Sequence, residues 1–300
     1  MDLPALRTTD LDGPIAFRAW PGPPGTTFLL VHGLGGSHAN WIRVAEGLAG
    51  LGRVVAPDLP GFGWSPRRGR DTGLMPLRRM LSRFREAEAP GPVVLVGNSL
   101  GGGLAILEAA IEPGSVRGLV LTASVFPWTR PWRTGPFPHP LVMAGFAAYD
   151  AGALGAGLVR QRLRRLSAER IVRIGFALTT VDPAGIPDDV VRLHAEAVRE
   201  RQRDPEAPEA FVDAARSLLR LGRRPDVADR ALAGVRCPVL AIHGRRDRLV
   251  PASLAEATLV RFPSWRGRIL PDVGHVPMLE APGRWLAEVA DWHAEKVARR

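Results

Sequence analysis

The sequence predicts an α/β fold: a mostly parallel sheet with crossover helices, interrupted by a helical insertion. Three observations carry this. Short apolar runs alternate with amphipathic segments along most of the chain. The run Val93-Val94-Leu95-Val96 leads into Gly97-Asn98-Ser99-Leu100-Gly101, a G-x-S-x-G turn between a strand-like and a helix-like segment. From about Phe126 to Ala233 there is no convincing strand, and the alternation returns after Val235.

Taken in order, the candidate strands are Ala16–Trp20, Thr27–His32, Arg53–Pro57, Val93–Gly97, Gly118–Thr122, Val239–His243 and Gly267–Leu270. Phe28 to Val31 carries no polar residue, as expected of a strand buried on both faces. Helices are predicted to start near Asn40, Met75, Ser99, Ala252 and Pro282. In the second, Leu74, Leu77, Leu81 and Phe84 recur at helical spacing. The insertion opens on a stretch rich in Pro and aromatic residues, Phe126 to Pro140, followed by helical patterns at Val190–Arg203 and Pro208–Leu221. The organisation expected is a first core part over 1–125, a helical cap over 126–233 and a second core part over 234–300.

A chain of 300 residues, 46% hydrophobic and 23% charged, is long enough for one large domain with a sizeable core. The formal charge of +10 invites a search for acidic partners. All but one (Lys296) of the 40 basic residues are arginine, scattered in ones and twos with no basic stripe interleaved with aromatics. That pattern fits a coding sequence rich in G and C, and no nucleic-acid partner is expected. Leu141 to Val159 is mostly apolar, but Asp150 and four glycines interrupt it, so an apolar element over a pocket is expected rather than a membrane span. The single cysteine, Cys237, is expected to be a packed thiol, and no secretory signal is visible. A reducing, cytoplasmic setting is expected, with no membrane contact.

Serine at its free pKa is a poor nucleophile and needs a hydrogen-bonded base held by an acid. On sheets of this kind the chain order is Ser, then Asp or Glu, then His. Asp247 follows the strand Val239–His243, and His275 follows the strand that ends at Leu270. Both lie just past strand C-termini, where open α/β sheets build their sites. Ser99, Asp247 and His275 are therefore the candidate catalytic residues. Gly97 and Gly101 are expected because the turn brings backbones too close for a Cβ. Asp58 also follows a strand, but it precedes the serine and is read as structural.

Five motifs stand in one order: His32-Gly33-Leu34-Gly35-Gly36, Asp58-Leu59-Pro60-Gly61-Phe62-Gly63-Trp64-Ser65, the Ser99 turn, Asp247 and Gly274-His275. In this the chain resembles the α/β-hydrolase superfamily over nearly all its length except the insertion. The resemblance implies an α/β-hydrolase fold with the helical cap after the sixth core strand. It implies that Ser99 attacks a carbonyl carbon, that His275 takes and returns the proton, and that Asp247 orients the imidazole. It further implies an oxyanion hole made by the backbone N–H groups of Leu34 and Leu100. Activity is then expected to rise with pH as the imidazole loses its proton.

A serine nucleophile points to acyl transfer to water, and the substrate expected is a small to medium apolar carboxylic ester. The Asn98-Ser99 pair also resembles hydrolases that cleave C–C bonds of ring-fission diketones, although Val276 stands where those relatives usually have Trp. A non-catalytic, ligand-binding member of the superfamily is the alternative of another class. Apolar substrate contacts are expected from Trp128, Trp132, Phe137 and Phe146, with Phe126, Tyr149 and Phe176 nearby. His32 is read as structural and His243 as packed, whereas His38, His139, His194 and His293 are read as surface or cap residues. No metal-ligand spacing, phosphate loop or dinucleotide fingerprint occurs, so no cofactor is expected.

Overall fold

A computed structural model of the chain describes residues 3–125 and 140–298. Eight strands form one sheet: β1 (Arg7–Asp10), β2 (Pro14–Trp20), β3 (Thr27–Val31), β4 (Arg53–Pro57), β5 (Val93–Asn98), β6 (Val116–Thr122), β7 (Val239–Gly244) and β8 (Arg266–Leu270). Their spatial order is β1-β2-β4-β3-β5-β6-β7-β8. β1 pairs antiparallel with β2 and β2 antiparallel with β4, and every later pairing is parallel. The seven predicted strands are all present, most of them a residue or two longer than predicted.

The sequence does not predict β1, because nothing in Arg-Thr-Thr-Asp is apolar and the strand is mostly exposed at the sheet edge. Its signal was the turn that follows: Asp12 and Gly13 both take positive φ, 57° and 122°, the pattern that Asp-Gly supplies at a tight hairpin. The central strands are a different case. All six residues of β5 are buried, so the run needs no alternation.

Helices cross between the parallel strands. The predicted helix near Asn40 is a 3-10 turn (His38–Trp41) followed by a short helix, α1 (Ala45–Ala49). α2 (Leu74–Glu88) links β4 to β5, with Leu74, Leu77, Leu81 and Phe84 all buried. Phe84 meets Phe17 of β2 edge to face at 5.3 Å. α3 (Leu100–Ile111) links β5 to β6.

After β6, the sixth strand, the described residues hold only helices until β7: α4 (Pro140–Asp150), α5 (Ala153–Arg165), α6 (Ala168–Thr179), α7 (Asp188–Arg203), α8 (Ala207–Gly222) and α9 (Pro225–Gly234), with a 3-10 turn between α6 and α7. The apolar segment around Asp150 is two helices, not one. Gly152, at φ +63°, breaks it, and Asp150 pairs with Arg223 at 2.7 Å. Among the described residues no helix is long and apolar enough to cross a membrane. The insertion is tied to the core by side chains: Thr72 Oγ1 donates to Ala210 O, and Arg67 pairs with Asp213. α10 (Ala252–Arg261), α11 (Pro277–Glu280) and α12 (Pro282–Lys296) complete the chain.

Two histidines expected at the surface or in the cap are buried in the core. His38 is fully buried, not at the surface, because its Nδ1 lies 3.0 Å from Asp58 Oδ1. His293 is buried as well, with Nε2 3.0 Å from Thr26 Oγ1. In each case the partner is a buried oxygen that sequence proximity does not reveal. Cys237 is partly buried against the core.

Candidate active site

Ser99 stands alone between β5 and α3, at φ 52° and ψ −115°. A non-glycine residue there is strained by roughly 1–3 kcal/mol and persists only where neighbours impose it. They do so through the backbone. Ser99 N–H donates to Thr122 O (3.2 Å), and Ser99 O accepts from the N–H groups of Gly103 (3.1 Å) and Val125 (3.2 Å). The close approach is measurable at Gly101, where a Cβ would lie 2.1 Å from Val31 O.

Asp247 and His275 come together in the loops that leave β7 and β8. His275 Nδ1 is 2.7 Å from Asp247 Oδ2. The other carboxylate oxygen, Oδ1, accepts from the N–H groups of Leu249 (2.8 Å) and Val250 (2.9 Å). Burial alone would push this carboxyl up, but the imidazoles of His275 and His243 outweigh it and hold the group well below the usual carboxylate range. The carboxylate calls for the proton on Nδ1 of His275, which leaves Nε2 with its lone pair.

The backbone of His275 is held from both sides of the molecule. Its carbonyl accepts from Asn98 Nδ2 (3.2 Å), next to Ser99, and its N–H donates to Thr179 O (2.6 Å), at the end of α6 in the insertion. Glu280 adds a second tie. It accepts from Gly274 N–H (2.9 Å) in the His275 loop and from Val181 N–H (2.8 Å) in the insertion. Burial raises its pKa in spite of these donors.

The Gly33–Gly36 loop packs against Ser99, since a Cβ on Gly33 would lie 3.1 Å from Ser99 Cβ. Leu59 N–H donates to His32 Nε2 (2.9 Å), so His32 Nδ1 carries the proton and donates to Gly33 O (2.8 Å). That role is structural, as expected. Leu34 lies in this loop. Leu100 is the first residue of α3, whose N–H has no intrahelical acceptor. Leu34 thus belongs to the loop against Ser99, and Leu100 is the residue that follows Ser99.

Ser99, His275 and the Gly33–Gly36 loop share the wall of a cavity of about 520 Å³. The insertion supplies the facing wall, including Phe146, Tyr149, Phe176 and Phe211. Phe146, one of the expected substrate contacts, is thus on the cavity wall. Trp128, Trp132 and Phe137, along with Phe126 and His139, lie outside the described residues. His194 is a half-buried residue of the insertion that also lines the cavity. Burial lowers its pKa to about 4. Among the described residues no group of His, Cys, Asp and Glu is placed to hold a metal ion.

Two residues of this site are not marked as functional by the sequence. His243 is expected to be packed, and it is buried, yet its Nε2 also lies 3.2 Å from Asp247 Oδ2. The spacing of four residues at the end of a strand was its only trace. Arg201 is buried in the cavity wall. It continues the stripe Val190, His194, Ala197 and Val198 along α7, so an arginine at an apolar position was the available signal.

Comparison with known proteins places the chain in a family. The family model described as the alpha/beta hydrolase fold matches residues 26–282, and the chain belongs to that family. It is 28% identical over 276 residues to the dihydrolipoyllysine-residue acetyltransferase component of the acetoin cleaving system of Cupriavidus necator. That alignment covers 92% of this chain but spans 66% of the relative's length. It is 29% identical to the pimeloyl-[acyl-carrier protein] methyl ester esterase of Aeromonas hydrophila, covering 87% of this chain and 93% of the esterase. Among solved structures, a meta-cleavage product hydrolase from Pseudomonas fluorescens superposes with a TM-score of 0.70 at 22% identity, over 94% of this chain and 95% of that one. The last likeness is one of fold.

Proposed function

We propose that this protein is a serine hydrolase of small to medium apolar carboxylic esters, acting through an acyl-enzyme, with 126–233 as its cap. The observation that carries the reading is the 2.7 Å contact of His275 with a buried Asp247 on the wall of the cavity that also holds the strained Ser99.

In the first half-reaction Ser99 Oγ bonds to the ester carbonyl carbon while His275 Nε2 takes the hydroxyl proton. The tetrahedral oxyanion is held by the N–H groups of Leu34 and Leu100. Losing one such donor typically costs about 2.7–4 kcal/mol of transition-state stabilisation. The C–O bond to the alcohol then breaks, and His275 returns its proton to the departing oxygen. In the second half-reaction water loses a proton to His275 and attacks the acyl carbon. The proton goes back to Ser99 Oγ as the acid leaves. Asp247 stays ionised throughout, holding the imidazole and stabilising its charged form. The esterase relative at 29% identity supports ester chemistry.

The test is turnover of a series of p-nitrophenyl esters by the wild type and by Ser99→Ala, with covalent labelling by a fluorophosphonate. Activity and labelling that both vanish in the variant are expected. Labelling that persists in Ser99→Ala would identify another nucleophile. A folded wild type that neither reacts nor labels would favour the ligand-binding alternative.

A further inference from the structure

Among the described residues, the buried arginines of this chain fall into two kinds. Arg78 and Arg85, on α2, face the carboxylates of Glu108 and Glu112. Arg201, on α7, is 3% exposed and forms no ion pair among the described residues. Its Nη1 reaches Gly35 O at 3.4 Å, a long bond, while Nε and Nη2 are buried and meet no partner among the described residues. The guanidinium lies over the rings of Phe62 and Phe211, at 5.7 and 5.6 Å. Arg162, on α5, lines the same cavity, and its Nε is likewise buried without a partner.

Two guanidiniums facing one cavity repel each other, and buried donors without a partner are destabilising. The nearby carboxylate of Asp204 is committed elsewhere, accepting from the N–H groups of Arg67 and Glu206. Burial, and then the charge of Arg162, lower the pKa of Arg201 to about 10, so it remains a cation at neutral pH. Among the described residues no anion meets these donors, and a planar guanidinium fork matches a carboxylate.

We infer that Arg201 and Arg162 form a carboxylate subsite, and that the substrate is a monoester of a short dicarboxylic acid whose free carboxylate is held there. This rests on the esterase reading for the reaction, but not for the binding. The distance argues for a short acid. Gly35, against which Arg201 sits, is the immediate neighbour of Leu34, and adjacent Cα atoms are about 3.8 Å apart. The carboxylate therefore lies a few bonds from the carbonyl that Ser99 would attack. The aromatic walls accept the methylenes between the two ends.

The experiment compares monomethyl glutarate with methyl pentanoate, which replaces the carboxylate by a methyl group, following acid release. The expected kcat/KM favours the glutarate ester by roughly 10–100-fold, as for a charge-assisted contact. Arg201→Met should erase most of that preference, and Arg201→Lys should keep part of it. Equal kcat/KM for the two wild-type reactions, or equal losses on both esters in Arg201→Met, would overturn the subsite. Calorimetry of monomethyl glutarate on Ser99→Ala separates this inference from the esterase reading. Binding that needs Arg201, with no turnover of either ester by the wild type, keeps the subsite and removes the esterase. Turnover of methyl pentanoate with no preference for the glutarate does the reverse. If Arg201→Met does not fold, the same ratio is read on Arg162→Met. A thermal shift of the wild type by glutarate, absent with chloride at equal ionic strength, then supports the subsite, and no shift removes it.

Discussion

Among the described residues Asp58 and Asp247 are buried carboxylates that each face a histidine Nδ1, and the difference between them lies in what surrounds that imidazole. Asp58 follows β4 and lies 3.0 Å from His38 Nδ1, while Asp247 follows β7 and lies 2.7 Å from His275 Nδ1. Both carboxyls are held below their ordinary value against burial, chiefly by their histidines. The far nitrogen separates them. His38 Nε2 is occupied by Arg18 Nε at 3.0 Å, and its ring is stacked on Trp64 at 4.8 Å. His275 instead lines the cavity with Ser99. A matched pair is a structural staple when sealed and a candidate for proton transfer when one nitrogen is left open. The pairing alone does not distinguish the two.

Asparagine substitutions test this contrast most strongly. Asp247→Asn should lower kcat by about 10⁴, because the amide favours the wrong imidazole tautomer, with a folded protein recovered. Asp58→Asn should instead lower unfolding free energy by about 3–5 kcal/mol, read by urea denaturation, because it breaks a fully buried pair. The kcat of its folded fraction should stay near wild type. Similar kinetic losses in both variants would erase the distinction drawn between the pairs.

Acid titration sharpens the comparison. Asp58 is depressed from its ordinary 3.8, so the folded state holds fewer protons than the unfolded chain below that pH. Its contribution to stability is complete above 3.8 and is lost as pH falls toward the folded value. Asp58→Asn should therefore lose less stability than wild type on acidification through this window.

His194 gives the smallest effect and serves as a control, a partly buried imidazole whose Nδ1 bonds a backbone carbonyl, Val190 O, at 2.9 Å. Its pKa falls from 6.5 to about 4, so it stays neutral when folded while the unfolded chain takes up a proton. Its contribution is intact above pH 6.5 and declines toward pH 4. The Tm of His194→Gln should be flatter than wild type across that interval, and an unchanged slope would remove His194 as the cause.

How much of this was legible in the sequence follows from distance along the chain. The Ser99 turn, Asp247 and Gly274-His275 each sit in a run of neighbours just past an apolar strand, so their positions could be read locally. The parallel core was readable for the same reason, since strands such as Phe28 to Val31 carry no polar residue. β1 was not, because an exposed polar edge strand has no pattern to show. The burial of His38 and His293 depends on Asp58 and Thr26, which are 20 and 267 residues away. Arg201 was hidden by abundance. With 40 basic residues, one arginine on an apolar helix stripe does not stand out until burial is known.

The bond from His275 N–H to Thr179 O has a mechanical consequence. Together with the Val181–Glu280 contact, it fastens the rim of the insertion to the loop that carries the imidazole. A displacement of residues 179–181 by more than a bond length detaches that loop from its support. Hinging the insertion away at this corner therefore breaks both contacts and leaves Asn98 and Asp247 to hold the imidazole.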